Sequence, residues 1–294
     1  MSFQPPDLSG KVAVVLGASR GIGRSMAIAL GRAGCRVAIA ARTIRPHPPS
    51  PGSLLETQAA IEKEGGIALP LRTNLRHASD LKRLIHTVLA TLGRIDILVH
   101  NAGALWWGKV AETPLHRLDL LLDINLRAPF QAAQLVIPPM ERQGGGHIVF
   151  VAPPVETGHL PGKTAYLIGK FGLSHLGLGL ADEVREYGIG VQSLWPATLI
   201  ESQATIHFQI GRPEQWRKPS IMADALLALV ARPASQADGQ VLLDEEVLRK
   251  NGVTDFTPYD VVPGGTPVYI AGEKADPSYW QGPLGPRPET EPLR

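Results

Sequence analysis

The chain has 294 residues, 44% of them hydrophobic and 19% charged, which is enough apolar content for a real core in one large α/β domain or two small ones. Lys and Arg exceed Asp and Glu by 29 to 27, and the basic residues are scattered, which argues against a nucleic-acid binder with a concentrated basic face. A single cysteine excludes a disulfide framework and a multi-cysteine zinc site. No apolar run reaches the span of a bilayer helix, and the start MSFQPPDLSGK lacks the regions of a signal peptide, so a cytoplasmic protein with no metal site is expected.

Residues 12–16 form a short β-branched apolar run, the pattern of a buried parallel strand. Gly17, Gly21 and Gly23 punctuate the turn that follows, residues 25–33 have helical content, and 37–41 is the next apolar run. Strand, glycine turn, helix and strand make a βαβ unit. The alternation continues with helix 54–64, strand 67–71, helix 78–92 and strand 95–99. A long helical stretch spans 115–140, with kinks expected at Pro129 and Pro138. Then come strand 147–152, helix 164–187, strand 190–194, helix 222–231 and strand 241–244. Such alternation implies a parallel sheet covered on both faces, wound right-handedly into a doubly wound, Rossmann-type α/β fold.

Two segments interrupt the pattern. Residues 45–53 (RPHPPSPGS) are too proline-rich for helix or inner strand and read as an insertion loop. Residues 251–294, rich in Pro and Gly, read as an extended C-terminal arm with disordered last residues. The single domain therefore runs from about 8 to 250.

The turn Gly17-Ala18-Ser19-Arg20-Gly21-Ile22-Gly23 lies between strand and helix, where glycines admit a pyrophosphate to the backbone and the helix N-terminus favours its charge. The second strand ends Ala40-Ala41-Arg42-Thr43, without the acidic residue that accepts from the ribose 2′-OH of NAD. Arg20 and Arg42 instead offer guanidinium forks for a 2′-phosphate, so NADP(H) is the expected cofactor.

Three further motifs follow in order: Asn101-Ala102-Gly103 after the fourth strand, Asn125 in the long helix, and Tyr166 with Lys170 at the start of the helix after the fifth strand. With the glycine turn, this ordered set resembles the short-chain dehydrogenase/reductase family over about residues 8–245. The stretches at 41–48, 117–120, 151–154 and 194–196, and the tail after 244, resemble its hydroxysteroid dehydrogenase-like protein 2 branch. That branch often adds a sterol-carrier domain, for which this chain is too short. The resemblance implies a homotetramer or homodimer. It extends the cofactor contacts to Thr43, Asn74, Leu75, Asn101, Ala102, Gly103, Pro196 and Thr198, with the amide of Asn74 facing adenine and Pro196-Ala197 near the nicotinamide.

Tyr166 and Lys170 are four residues apart and share a helix face. A neighbouring ammonium favours phenolate, which tunes Tyr166 to pass protons near neutral pH. By resemblance Tyr166 is the general acid/base, Lys170 also holds the nicotinamide ribose, and Asn125 serves a water that relays protons to Lys170. The family's catalytic serine, thirteen residues before the tyrosine, is replaced by Pro153, beside Ala152. Thr157, His159 and Thr164 are candidate replacements, and the sequence does not choose among them. His100 stands where the family commonly has Asn.

The substrate side should come from 104–108, 153–162 and 198–216. These carry Trp106, Trp107, Leu160, Ile200, Ile206, Phe208, Ile210 and Trp216, and suggest a hydrophobic alcohol, aldehyde or ketone. The same residues would equally suit packing under a lid or at a subunit interface. A cofactor-binding protein with little turnover is the alternative that the missing serine raises.

Overall fold

The computed structural model describes residues 2–46, 51–155 and 161–275. Its centre is a seven-stranded sheet. The strands are β1 (Val12–Leu16), β2 (Arg36–Ala41), β3 (Ile67–Arg72), β4 (Ile97–His100), β5 (Gly146–Val151), β6 (Ile189–Trp195) and β7 (Val241–Leu243). They lie in the order β3-β2-β1-β4-β5-β6-β7, and every neighbouring pair is parallel. This is the expected doubly wound, Rossmann-type sheet. Its order reverses between β1 and β4, where such folds open a crevice at the C-terminal strand ends.

The inner strands read as continuous apolar runs because both faces are covered. On β1, Ala13 and Val15 enter one core, with Met26 and Leu30 of α1 (Gly21–Arg32) and Leu54 and Ile61 of α2 (Leu54–Lys63). Val12, Val14 and Leu16 enter the other, with Leu84 and Val88 of α3 (Ala78–Leu92).

The long helical stretch is broken. α4 (Leu115–Leu122) passes through a π turn at Asp123–Arg127, closed by the Ala128 N–H on the Asp123 carbonyl, into α5 (Ala128–Arg142). The irregularity precedes Pro129 because proline has no N–H to donate to the Asn125 carbonyl four residues earlier. α5 continues through Pro138 and Pro139 to Arg142. Beyond β5, α6 (Thr164–Glu183) carries Tyr166 and Lys170.

A short helix α7 (Gln203–His207), α8 (Ser220–Val230) and α9 (Asp244–Lys250) complete the described helices. Residues 251–275 have little regular structure, yet they pack on the domain. Val253, Phe256 and Tyr259 join the first core, and Ile270 packs on Leu199 and Trp216. Tyr269 bridges Thr198 and Asp260 bridges Arg217, so this strap pairs with the stem of the α7 region, residues 198–200 and 216–218 on either side of that helix. The expected disorder of the last residues, and Thr157, His159 and Leu160, fall outside the described residues. Among the described residues no helix is long and apolar enough to cross a membrane.

Candidate active site

At the switch point β1 runs into the glycine turn and α1. Gly17 has φ +86°, and a Cβ placed there would lie 2.7 Å from Ala102 Cα. A Cβ on Gly23 would strike the Gly17 carbonyl, which Asn101 Nδ2 already holds at 3.2 Å. The turn therefore closes only with glycine at both positions. Thr57 of α2 braces it by donating to the Ala18 carbonyl at 2.9 Å. The first turn of α1 has neither a side-chain cap nor an acidic residue. Its N–H groups and dipole are thus left for an anion, and the residues present fit a dinucleotide pyrophosphate.

A cleft of about 600 Å³ begins here, lined by Gly17, Ser19, Arg20, Gly21 and Ile22. Arg42 and Thr43, at the end of β2, line the same end, and Arg20 Nη2 donates to Thr43 Oγ1 at 3.3 Å. Burial, and then the charge of Arg42, lower the pKa of Arg20. Among the described residues no ion pair neutralises either guanidinium.

The cleft continues past Asn101, Ala102 and Gly103 to Tyr166 and Lys170. Asn125 is fully buried, and its amide pairs with one residue of the loop after β4. Oδ1 accepts from the Ala104 N–H at 2.8 Å and Nδ2 donates to the Ala104 carbonyl at 3.0 Å. Its side chain thus fixes the loop that walls the cleft. Lys170 Nζ donates to the Val151 carbonyl at 2.8 Å and lies 5.6 Å from the centre of the Trp195 ring. Burial lowers Lys170 to about 8 and pushes Tyr166 above its ordinary value. For Tyr166, burial works against the lowering expected from Lys170.

Pro153 is buried, and its carbonyl accepts from Ser174 Oγ at 2.6 Å. No side-chain donor occupies the serine position. Thr164, the one described candidate replacement, is exposed at the start of α6 and does not line the cleft. His100 is fully buried beneath this end. Neither ring nitrogen has a hydrogen-bond partner among the described residues, and burial, with the charge of Lys170, lowers it to about 3.

Four expected cofactor contacts, Gly23, Asn74, Pro196 and Thr198, do not line the cleft. Asn74 turns its Oδ1 to the Arg76 N–H at 3.2 Å, while its neighbours Thr73 and Leu75 line the cleft. Pro196 and Thr198 sit behind Trp195, with Thr198 paired to Tyr269. Ser202, Gln203 and Ala204, within the expected segment 198–216, line the cleft, and so does Trp195, which was not assigned to the site from sequence. Trp195 ends a strand on the ligand side of a parallel sheet, and that position is the signal that finds it.

The proposed substrate residues divide. Trp107 faces Phe208 with ring centroids 6.2 Å apart, and the buried Lys163 lies 5.4 Å from the Trp107 ring centre. Ile200 belongs to the main core, whereas Ile210 and Trp216 pack under the strap and Ile206 is exposed. None of these described residues lines the cleft itself, which is bounded on this side by Ala104, Leu105, Ser202, Gln203 and Ala204.

A family model described as short chain dehydrogenase matches residues 11–207. Hydroxysteroid dehydrogenase-like protein 2 from Danio rerio is 38% identical over 262 residues, covering 87% of this chain and 62% of the relative. The chain thus spans less than two thirds of the length of that curated relative. A short chain dehydrogenase from Mycobacterium thermoresistibile superposes with a TM-score of 0.84 at 34% identity, covering 94% of this chain and 100% of the other. A metagenomic short-chain oxidoreductase in complex with NADP gives a TM-score of 0.67 at 31% identity, over 81% of this chain and 97% of that one.

Proposed function

The chain belongs to the short chain dehydrogenase family, and on that ground we propose that it is an NADP(H)-dependent oxidoreductase interconverting a hydrophobic alcohol and its aldehyde or ketone. One observation carries the reading: a single cleft has Arg20 and Arg42 at one end and Tyr166 with Lys170 at the other. The guanidinium pair supports a 2′-phosphate, because arginine forks match phosphate oxygens and, among the described residues, the cleft lining holds no carboxylate. The NADP complex of a 31% identical neighbour is in keeping with this.

When bound, the nicotinamide supplies or accepts the hydride. Tyr166 passes the proton to or from the substrate oxygen. Lys170 spends one of its three N–H donors on the Val151 carbonyl, which leaves the others for the cofactor ribose. Ala104, Leu105, Leu120 and Ile124 give the substrate an apolar flank. Assembly into dimers or tetramers belongs to the same reading and is supported by Phe130 on α5 and Ile168 on α6, which are exposed to 58% and 52%.

The test is oxidation of NADPH and NADH against a panel of hydrophobic aldehydes and ketones, with Tyr166→Phe in parallel. Turnover that disappears in the variant supports the reading, and unchanged turnover removes Tyr166 from it. Pro153 favours a second reading, a cofactor-binding protein with little turnover, since a lost donor to the substrate oxygen costs about 10²–10³ in rate. Tight NADPH binding without turnover across the panel would select it.

A further inference from the structure

The C-terminal ends of β6 and β7 lie level, with Trp195 opposite Leu243. Pro196, the next residue, has no N–H, so Ala197 supplies the first main-chain donor beyond the strand. That N–H donates to Asp244 Oδ1 at 2.9 Å, and the same oxygen accepts from the Glu245 N–H at 2.7 Å. From the other side the Ala197 carbonyl accepts from the N–H groups of Ile270 at 2.8 Å and Ala271 at 3.3 Å. The Ala197 peptide is thus clamped between a carboxylate and the strap.

Asp244 is fully buried, and its Oδ2 has no hydrogen-bond partner among the described residues. Burying a carboxylate with an unused oxygen costs stability, and burial pushes this carboxyl up to about 7. Satisfying the Glu245 N–H does not require that cost, because a serine or threonine hydroxyl meets such a donor without charge. What the longer side chain adds is reach to Ala197, and so to the turn after Trp195. Trp195 lines the reacting end of the cleft beside Lys170.

We propose that Asp244 is a positioning residue: by holding the Ala197 peptide it fixes the turn of residues 195–198 behind the reacting end of the cleft, and so orients the nicotinamide half of the cofactor. The inference rests on the cofactor reading above. The adenosine half is held elsewhere, at the glycine turn and the arginine pair, so loss of Asp244 should be felt at one end only.

The experiment compares equilibrium binding of NADPH with that of 2′-phospho-ADP-ribose, which keeps the adenosine and diphosphate and lacks the nicotinamide. If the wild type shows no preference for the 2′-phosphate, NADH and ADP-ribose replace the pair. Asp244→Ala is expected to weaken NADPH about ten-fold, the loss of one buried hydrogen bond, and to leave the truncated ligand within about two-fold. Asp244→Asn keeps the reach and the acceptor oxygen and should restore NADPH binding. If the alanine variant does not fold, Asp244→Ser keeps a hydroxyl for the Glu245 N–H but not the reach, and is judged by the same criterion. Equal weakening of both ligands, an unchanged NADPH affinity, or an asparagine variant as weak as alanine overturns the proposal. A wild type that binds neither ligand overturns the cofactor reading itself, an outcome distinct from unselective variants of a wild type that binds.

Discussion

At the glycine turn the cleft is made of main chain, whereas around Tyr166 it is made of buried side chains whose protonation burial disturbs. Gly17 and Gly23 matter for the atoms they lack, and Asn101 serves to hold a carbonyl in place. At the other end Lys170 is driven down to about 8, Tyr166 is driven up, His100 is held neutral with no ring partner among the described residues, and Pro153 supplies no donor. Main-chain recognition admits little variation, because an added Cβ has nowhere to go. Side-chain chemistry can be exchanged piece by piece, as Pro153 at the expected serine position illustrates.

The largest effect that could break this comparison is at Tyr166. Removing the hydroxyl in Tyr166→Phe is expected to lower turnover on the order of 10³-fold and to leave NADPH affinity within about two-fold, as read by steady-state kinetics and fluorescence titration. An equal loss of affinity would mean that the two ends are not separable. Gly17→Ala attacks the other end. With φ +86° and a contact of 2.7 Å to Ala102 Cα, it should lower cofactor affinity on the order of 100-fold and stability by about 2–3 kcal/mol, visible by calorimetry.

Arg42→Ala sharpens the comparison within the cofactor end. The loss of a charge-assisted hydrogen bond predicts about a ten-fold or greater fall in NADPH affinity, with NADH unchanged. A parallel fall for both cofactors would separate Arg42 from the 2′-phosphate. Pro153→Ser restores a hydroxyl where the reacting end lost one, and turnover should rise about ten-fold, part of what a single oxyanion donor contributes. A fall in turnover would show that the proline-shaped loop is itself required.

The smallest effect is a dependence of stability on pH. The folded pKa of Asp244, about 7, lies above its ordinary 3.8. Its contribution is therefore complete below about 3.8 and is lost as pH rises through about 7. Between pH 6 and 8.5 the wild type should lose about 1–2 kcal/mol relative to Asp244→Asn. Denaturant midpoints that move in parallel would exclude ionisation of this group.

The sheet was legible because both of its faces are covered. Runs such as Val12–Leu16 are apolar throughout, and glycines mark where they end. The glycine turn and the Tyr166–Lys170 pair were legible for a similar reason, since residue type and spacing carry the geometry. The strap was not. Phe256, Tyr259 and Ile270 are separated by prolines and follow neither a helical nor a strand period, so only the tertiary structure reveals their burial. α7 and α9 are five and seven residues long, too short for their periodicity to register. Asn74 was expected at adenine by resemblance, and its Oδ1 accepts a local bond from the Arg76 N–H that sequence does not announce. Pro196 and Thr198 were assigned as contacts, while the structure brings their neighbour Trp195 to the cleft.

The strap also bears on the order in which the protein is made. The stem of the α7 region is stitched to residues 259–271 through Leu199, Arg217 and Trp216, and Arg217 is ion-paired to Glu245 and Asp260. During synthesis the strands through β6 emerge before these partners exist. The sheet and the glycine turn can therefore assemble while the wall beside Trp195 still waits for residues some seventy positions downstream. A nascent chain halted near residue 250 would carry the phosphate end of the cleft without a finished reacting end, so the pocket matures last.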